Sequence, residues 1–290
     1  MARLLKGAPV AAAISAELAE RVKKLRERGV VPTLATVRLG ERPADVAYER
    51  GAGKRCEKLG IAVQRYVLPE DCSREALLSC IREINEREEI HGCLMFRPLP
   101  DPEAEREVCA LLNPEKDMDG ITRGALGDVF TGGKGSFPPS TAQACMEILD
   151  FYGYQVRSAR VTVIGASLVI GRPVGAMLLN RCATLTMCHI DTVDTAAHAR
   201  NAEILISAAG CAGLVTREYV SPGQVVLDVG INQDQDGNIC GDVCFDEVEP
   251  VVEAITPVPG GVGTVTSAVL AKHVVEAAER VMKREAAAKG

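Results

Sequence analysis

Tryptophan is absent from this 290-residue chain, and aromatic residues make up only 3% of it. Hydrophobic residues reach 47%, so Ala, Val, Leu and Ile must fill the core. Runs of Val, Ile and Leu alternating with Ala-rich stretches fit α/β layers. No basic stripe interleaved with aromatics is present and the net charge is −6, which argues against nucleic acid as a partner. No apolar run approaches the roughly 18 residues of a membrane span. No N-terminal stretch has the basic-then-apolar form of a secretion signal, and no membrane partner is expected. The eleven cysteines are scattered without a Cys-x-x-Cys pair, which is the usage of free thiols in a reducing cytoplasm. Cys240 and Cys244 are four apart, but the four histidines lie far from them in sequence, so no metal is expected.

The length allows two domains. Periodicity predicts an amphipathic helix over 8–29, stopped by Gly29. Strands over 33–40, 61–69 and 92–100 alternate with helices, one running from the Tyr48 segment to Gly60 and one over 73–88 with Ser73 as its N-cap. That βαβαβ order implies a parallel sheet. Glycine, proline and serine punctuate 125–141, which reads as a connecting loop. After a helix over 142–153, a second alternating series places strands at 160–165, 183–189, 203–210 and 224–230, and the chain closes with a helix from about Val265.

Three segments stand out. In VIGASLVIGRP (163–173), Gly165 permits a tight turn, Gly171 a close backbone approach, and Pro173 suits a first helical turn. A helix N-terminus of this kind can hold a phosphate, with Arg172 as a planar donor; an ordinary βα turn would look the same. ITPVPGGVGTVT (255–266) is either a ligand-lining loop or a rigid connector. NPEKDMDG (113–120) is either a carboxylate at a pocket rim or a solvated turn.

Taken together, GASLVIGRP, DVGIN (228–232), GDV (241–243), TPVPGGVG (256–263) and KDMDG (116–120) resemble, in order and spacing, the bifunctional methylenetetrahydrofolate dehydrogenase/methenyltetrahydrofolate cyclohydrolases, the FolD family. The resemblance covers nearly the whole chain. It implies an α/β fold of two domains with a cleft between them. The first is a folate-binding catalytic domain over 1–141, on which a C-terminal helix of about 265–290 packs back. The second is a Rossmann domain for NADP or NAD over 142–264. It further implies a homodimer and a tetrahydrofolate derivative as substrate. Residue by residue, Tyr48 matches the tyrosine that lies against the folate, and Asp119 the aspartate that grips the pterin. Thr141 matches a substrate-side threonine. Gly165, Ser167, Gly171 and Arg172 match the dinucleotide loop, with Ile231 in DVGIN beside it. Gly260, Gly261 and Gly263 match the glycine loop near the substrate.

Departures from the family pattern fall on one side. The family pairs its tyrosine with a lysine four residues on; here that position is Ala52. Lys54 matches a second family lysine, but six residues after Tyr48 it is turned by about 240° on a helix. Phe96 replaces a glutamine, Asp45 a serine and Thr264 a proline. Hydride removal from the methylene carbon needs positioning, whereas ring opening by water needs a general acid/base. Three readings follow: an intact bifunctional enzyme using Lys54, a dehydrogenase with an impaired cyclohydrolase step, or a non-catalytic or altered-substrate relative that binds nucleotide or folate in a regulatory role. After the strand at 183–189, Asp191 stands where NADP-preferring members often place a basic residue. Its charge suits a ribose diol and repels a 2′-phosphate, so NAD is expected to be accepted.

Overall fold

The structure is a computed structural model that describes residues 1–289; Gly290, the last residue of the expected C-terminal helix, lies outside the described residues. The chain opens with a two-residue strand, β1 (Arg3–Leu4), and helix α1 (Gly7–Glu27). Strand β2 (Thr33–Leu39) leads to α2 (Pro43–Leu59), β3 (Ala62–Leu68), α3 (Arg74–Glu86) and β4 (Gly92–Met95). Helices α4 (Pro102–Leu111), α5 (Arg123–Thr131) and α6 (Ser140–Tyr152) follow. The second series runs β5 (Arg160–Ile164), α7 (Gly171–Asn180), β6 (Thr184–Cys188), α8 (Thr195–Arg200), β7 (Ile204–Ser207) and β8 (Val225–Asp228). A hairpin of β9 (Asn232–Gln233) and β10 (Ile239–Cys240), a turn of helix α9 (Phe245–Val248), β11 (Ala254–Ile255) and the long helix α10 (Val262–Lys289) complete the chain.

The chain forms two compact units. One comprises Met1–Ala12, Val129–Gly132 and Thr141–Thr266. Its sheet has six strands in the order β1-β11-β8-β7-β5-β6, and every neighbouring pair is parallel. The strands read as continuous apolar runs because helices cover both faces of such a sheet. Sequence order reverses at β5, so the crevice at the carboxyl ends of β5 and β7 is where an open α/β sheet takes its ligands.

The other unit comprises Ala13–Asp128, Gly133–Ser140 and the chain from Ser267 onward. Its parallel sheet has the order β3-β2-β4. On one face of β2, Ala35 and Val37 pack with Leu77, Ile81, Cys93 and Met95. On the opposite face lie Thr36 and Arg38, since side chains alternate along a strand. Within this unit α10 is tied down by His273 Nδ1, which donates to the Met118 carbonyl at 3.0 Å, and by the Phe137 ring 5.0 Å away.

Two expectations need correction. The stretch 125–141 is not all loop, because α5 occupies its start. Thr122 caps that helix through Oγ1, which accepts from the Ala125 amide at 3.1 Å, and the Thr122 amide is itself held by Asp117 at 2.7 Å. A cap anchored by a carboxylate that lies before the glycine-rich stretch outweighs the glycines. The strand expected over 92–100 ends at Met95, because Pro98 and Pro100 have no N–H to extend the ladder.

Candidate functional site

The dinucleotide-side residues gather at the carboxyl ends of β5, β6 and β7. A cavity of about 670 Å³ is lined there by Gly165, Ser167, Arg172, His189, Ala209 and Cys211, among others. Gly165 has φ +106°, and a Cβ on it would lie 2.2 Å from the Ala208 carbonyl oxygen; a Cβ on Gly171 would lie 1.9 Å from the Gly165 oxygen. Only glycine allows these approaches, and they set the start of α7 against the turn after β5 and that turn against the end of β7. The turn caps itself: Ser167 Oγ accepts from the Ile170 amide at 3.1 Å, and the Ser167 carbonyl from the Arg172 amide at 3.0 Å. Arg172 Nε donates to the Ala166 carbonyl at 2.8 Å, which folds the guanidinium over the loop at the cavity wall. A cavity of this size, closed by a helix N-terminus and an arginine, fits a nucleotide diphosphate.

Asp191 follows β6 as expected. Its neighbours His189 and Ile190 line the cavity, while its own side chain is 88% exposed. The Asp191 amide donates to His189 Nδ1 at 3.2 Å, which makes that ring nitrogen an acceptor. Ile231 is exposed, and its Cδ1 lies 3.6 Å from where a Cβ on Gly263 would stand. The glycine loop is anchored by the Gly7 amide, which donates to the Gly260 carbonyl at 2.8 Å. Thr141 is half-buried in the first turn of α6.

The folate-side residues stand at the carboxyl ends of β2 and β4. Tyr48 on α2 meets Phe96 edge to face, with centroids 6.1 Å apart and planes at 78°. The buried residues of α2 are Glu49, Ala52, Gly53 and Cys56. Ala52 is 1% exposed, whereas Lys54 stands on the exposed face. The helix therefore does not bring Lys54 round to the face of Ala52.

Asp119 is half-buried and accepts from the Ser140 amide at 3.3 Å. Burial pushes its carboxyl up to about 6, against the pull of that amide; Asp117 adds to the rise and the Arg97 guanidinium opposes it. Asp117 does structural work: its carboxylate holds the Thr122 and Asp119 amides.

Sequence reading missed a buried trio beside these residues. Thr36 Oγ1 donates to Glu49 Oε1 at 2.6 Å, Arg38 Nε donates to Glu49 Oε2 at 2.9 Å, and Arg38 Nη1 donates to the Gly40 carbonyl. The signal was present: two polar residues on one face of a strand, across from an acid on a helix. A separate cavity of about 340 Å³ near Lys116 and Arg280 is less promising, because Lys116 Nζ is committed to the carbonyls of Ile84, Asn85 and Arg87. Among the described residues, no group of His, Cys, Asp or Glu could hold a metal, and no helix is long and apolar enough to cross a membrane.

Comparison with known proteins decides the family. Residues 5–119 match the tetrahydrofolate dehydrogenase/cyclohydrolase catalytic domain, and residues 139–282 the NAD(P)-binding domain of the same enzymes. The bifunctional protein FolD of Carboxydothermus hydrogenoformans is 48% identical over 281 residues, covering 96% of this chain and 98% of its own length. The chain belongs to the FolD family. The FolD crystal structure from Campylobacter jejuni superposes with a TM-score of 0.94 at 37% identity, covering 97% of this chain and 99% of its own. The Trypanosoma brucei FolD, solved with NADP and an inhibitor, gives 0.90 at 35% identity over 96% of this chain and 98% of its own. The second matched domain makes NAD or NADP the cofactor, and the cavity at β5–β7 is the feature of this FolD chain that fits it.

Proposed function

We propose that this FolD-family chain is an NAD(P)-dependent 5,10-methylenetetrahydrofolate dehydrogenase whose cyclohydrolase step is impaired. The observation that carries the reading is Ala52, buried one helical turn after Tyr48, with Phe96 against the phenol. In dehydrogenation the nicotinamide supplies the hydride acceptor. The protein has to hold the methylene carbon in line and keep water away, and the product cation is stabilised by its own resonance. Tyr48 and Phe96 supply apolar surface for a pterin, and Asp119 supplies an acceptor for its ring N–H groups. Thr141 and the loop of Gly260, Gly261 and Gly263 are proposed as further substrate contacts. Gly165, Ser167, Gly171, Arg172, Asp191 and Ile231 are proposed as dinucleotide contacts.

Cyclohydrolysis asks for more. Water must be deprotonated as it adds, and a ring nitrogen protonated as the ring opens. Ala52 moves no proton and Phe96 orients no water. The exposed position of Lys54 supports leaving it out of the reaction. A homodimer is also proposed, to be read in sedimentation as a species of twice the chain's mass.

The test is a gain of function. Ala52→Lys with Phe96→Gln should raise methenyltetrahydrofolate hydrolysis by about 10²-fold or more, the usual worth of a placed acid/base. Each change alone should do less, because such residues act as a unit. A double variant that folds, binds folate and gains nothing would refute the reading, as would a fast wild type that Lys54→Ala silences.

A further inference from the structure

Two motifs, DVGIN and GDV, contribute acidic residues that take no part in the chemistry above. Asp228 ends β8 and Asp242 follows β10, and both are buried. The Asp242 carboxylate collects five donors. Oδ2 accepts from the Ala209 amide at 2.7 Å, the Gly210 amide at 3.2 Å and Ser207 Oγ at 3.1 Å. Oδ1 accepts from the Cys211 amide at 3.0 Å and Asn232 Nδ2 at 2.9 Å. Three successive amides after β7 thus converge on one carboxylate.

Asp228 holds Asp242 in turn. Its Oδ1 accepts from the amides of Gly230 and Asp242, and its Oδ2 from that of Val243, each at 3.0 Å. The Asp228 amide donates to Thr256 Oγ1 at 2.8 Å, at the start of the glycine loop. The approach is close enough to demand glycine on both sides. A Cβ on Gly230 would lie 2.2 Å from Asp242 Oδ1, and one on Gly241 would lie 1.8 Å from Asp228 Oδ2.

The amides that Asp242 gathers belong to the wall of the dinucleotide cavity, which Ala208, Ala209 and Cys211 line. We infer that Asp242 is a positioning residue for the dinucleotide: its carboxylate fixes the 209–211 backbone that the nucleotide meets, and Asp228 fixes Asp242. A buried carboxylate needs saturating donors, so the loop has one arrangement while the charge is there. An asparagine of the same shape would aim Nδ2 hydrogens at N–H donors, and the loop would have to move. Displacement by about 1 Å is enough to cost a bound ligand heavily. The inference rests on the dinucleotide site proposed above, and the experiment separates the two.

Wild-type affinity for NADH and NADPH is measured first by calorimetry and by the emission of the reduced nicotinamide, which no tryptophan obscures. Absence of binding overturns the dinucleotide site and the inference with it. With binding established, Asp242→Asn should weaken it at least tenfold and raise the dinucleotide KM, while the affinity for a reduced folate stays within twofold. Equal losses for both ligands, or an unchanged nucleotide affinity in a folded variant, would overturn the positioning role. Should Asp242→Asn fail to fold, Asn232→Ala and Ser207→Ala each remove one donor and leave the charge. Severalfold weaker nucleotide binding in both supports the inference, and unchanged binding in both overturns it.

Discussion

Glu49 in the folate-side unit is held differently from Asp228 and Asp242 in the dinucleotide unit, although Asp117, beside Asp119, also takes backbone amides. In the dinucleotide unit, Asp228 and Asp242 are satisfied chiefly by backbone amides. In the folate-side unit, Glu49 is satisfied by two side chains, Thr36 and Arg38. A carboxylate that organises backbone needs particular glycines around it and leaves a motif that can be read. A carboxylate that pairs with side chains leaves only scattered polar letters, and its partners can change without moving the chain. The same contrast runs through the proposed chemistry: the dinucleotide loop has its glycines, while Ala52 and Phe96 are proposed to stand in place of a proton-handling lysine and a glutamine.

Removing one partner of the side-chain pair should have the largest effect. Glu49→Ala orphans the Arg38 guanidinium, which is 10% exposed, and should lower unfolding stability by about 3–5 kcal/mol. Denaturant unfolding checks this. A loss below about 1 kcal/mol would show that Arg38 reaches water and that the pair is not a buried unit.

Protonation sharpens the contrast next. Asp119 is pushed up to about 6 by burial. A folded-state value above the unfolded one means that the ionised carboxylate is disfavoured by folding. Its contribution to stability is fully present below about pH 4 and is lost as pH rises through about 6. Folate binding runs the other way if the carboxylate must accept hydrogen bonds: affinity should hold above pH 7 and fall about tenfold per unit below 6. Asp119→Asn should flatten that profile. A wild-type profile flat between pH 5 and 8 would remove Asp119 from the binding step. Asp228 is likewise pushed up to about 6 by burial, against the pull of its amides, so the dinucleotide unit should also lose stability as pH rises from about 4 to 6.

The smallest effect concerns nucleotide choice. Asp191 is 88% exposed, so solvent screens its repulsion of a 2′-phosphate, and the preference for NAD that it confers should be severalfold at most. Asp191→Arg should shift the ratio of NADP to NAD affinity towards NADP by a similar factor, less at high salt. A strong wild-type preference for NADP would rule out control by this residue.

How far the sequence could be read follows from the same physics. Gly165 and Gly171 were legible because their backbone approaches tolerate nothing else. The Ser73 N-cap was legible because it is local: its Oγ accepts from the Ala76 amide at 3.2 Å. Helix α5 was not, since its cap residue Thr122 is held by Asp117 and nothing in 125–141 announces it. Strand β1 was missed for a related reason. Two residues carry no periodicity, and Arg3–Leu4 is a strand only because β11 pairs with it. That Tyr48 and Lys54 stand on different sides of α2 followed from helical spacing alone. The Arg38–Glu49 pair did not, because it depends on which strand α2 covers.

On the proposed reading the folate side carries no proton-handling group while the dinucleotide side is intact. Measuring both reactions on one preparation of the unaltered protein, with methylenetetrahydrofolate plus NAD or NADP and with methenyltetrahydrofolate alone, tests it most directly. Dehydrogenase turnover in the ordinary enzymatic range, with hydrolysis slower by about 10²-fold or more, is the expected result. Comparable rates for the two reactions would contradict it.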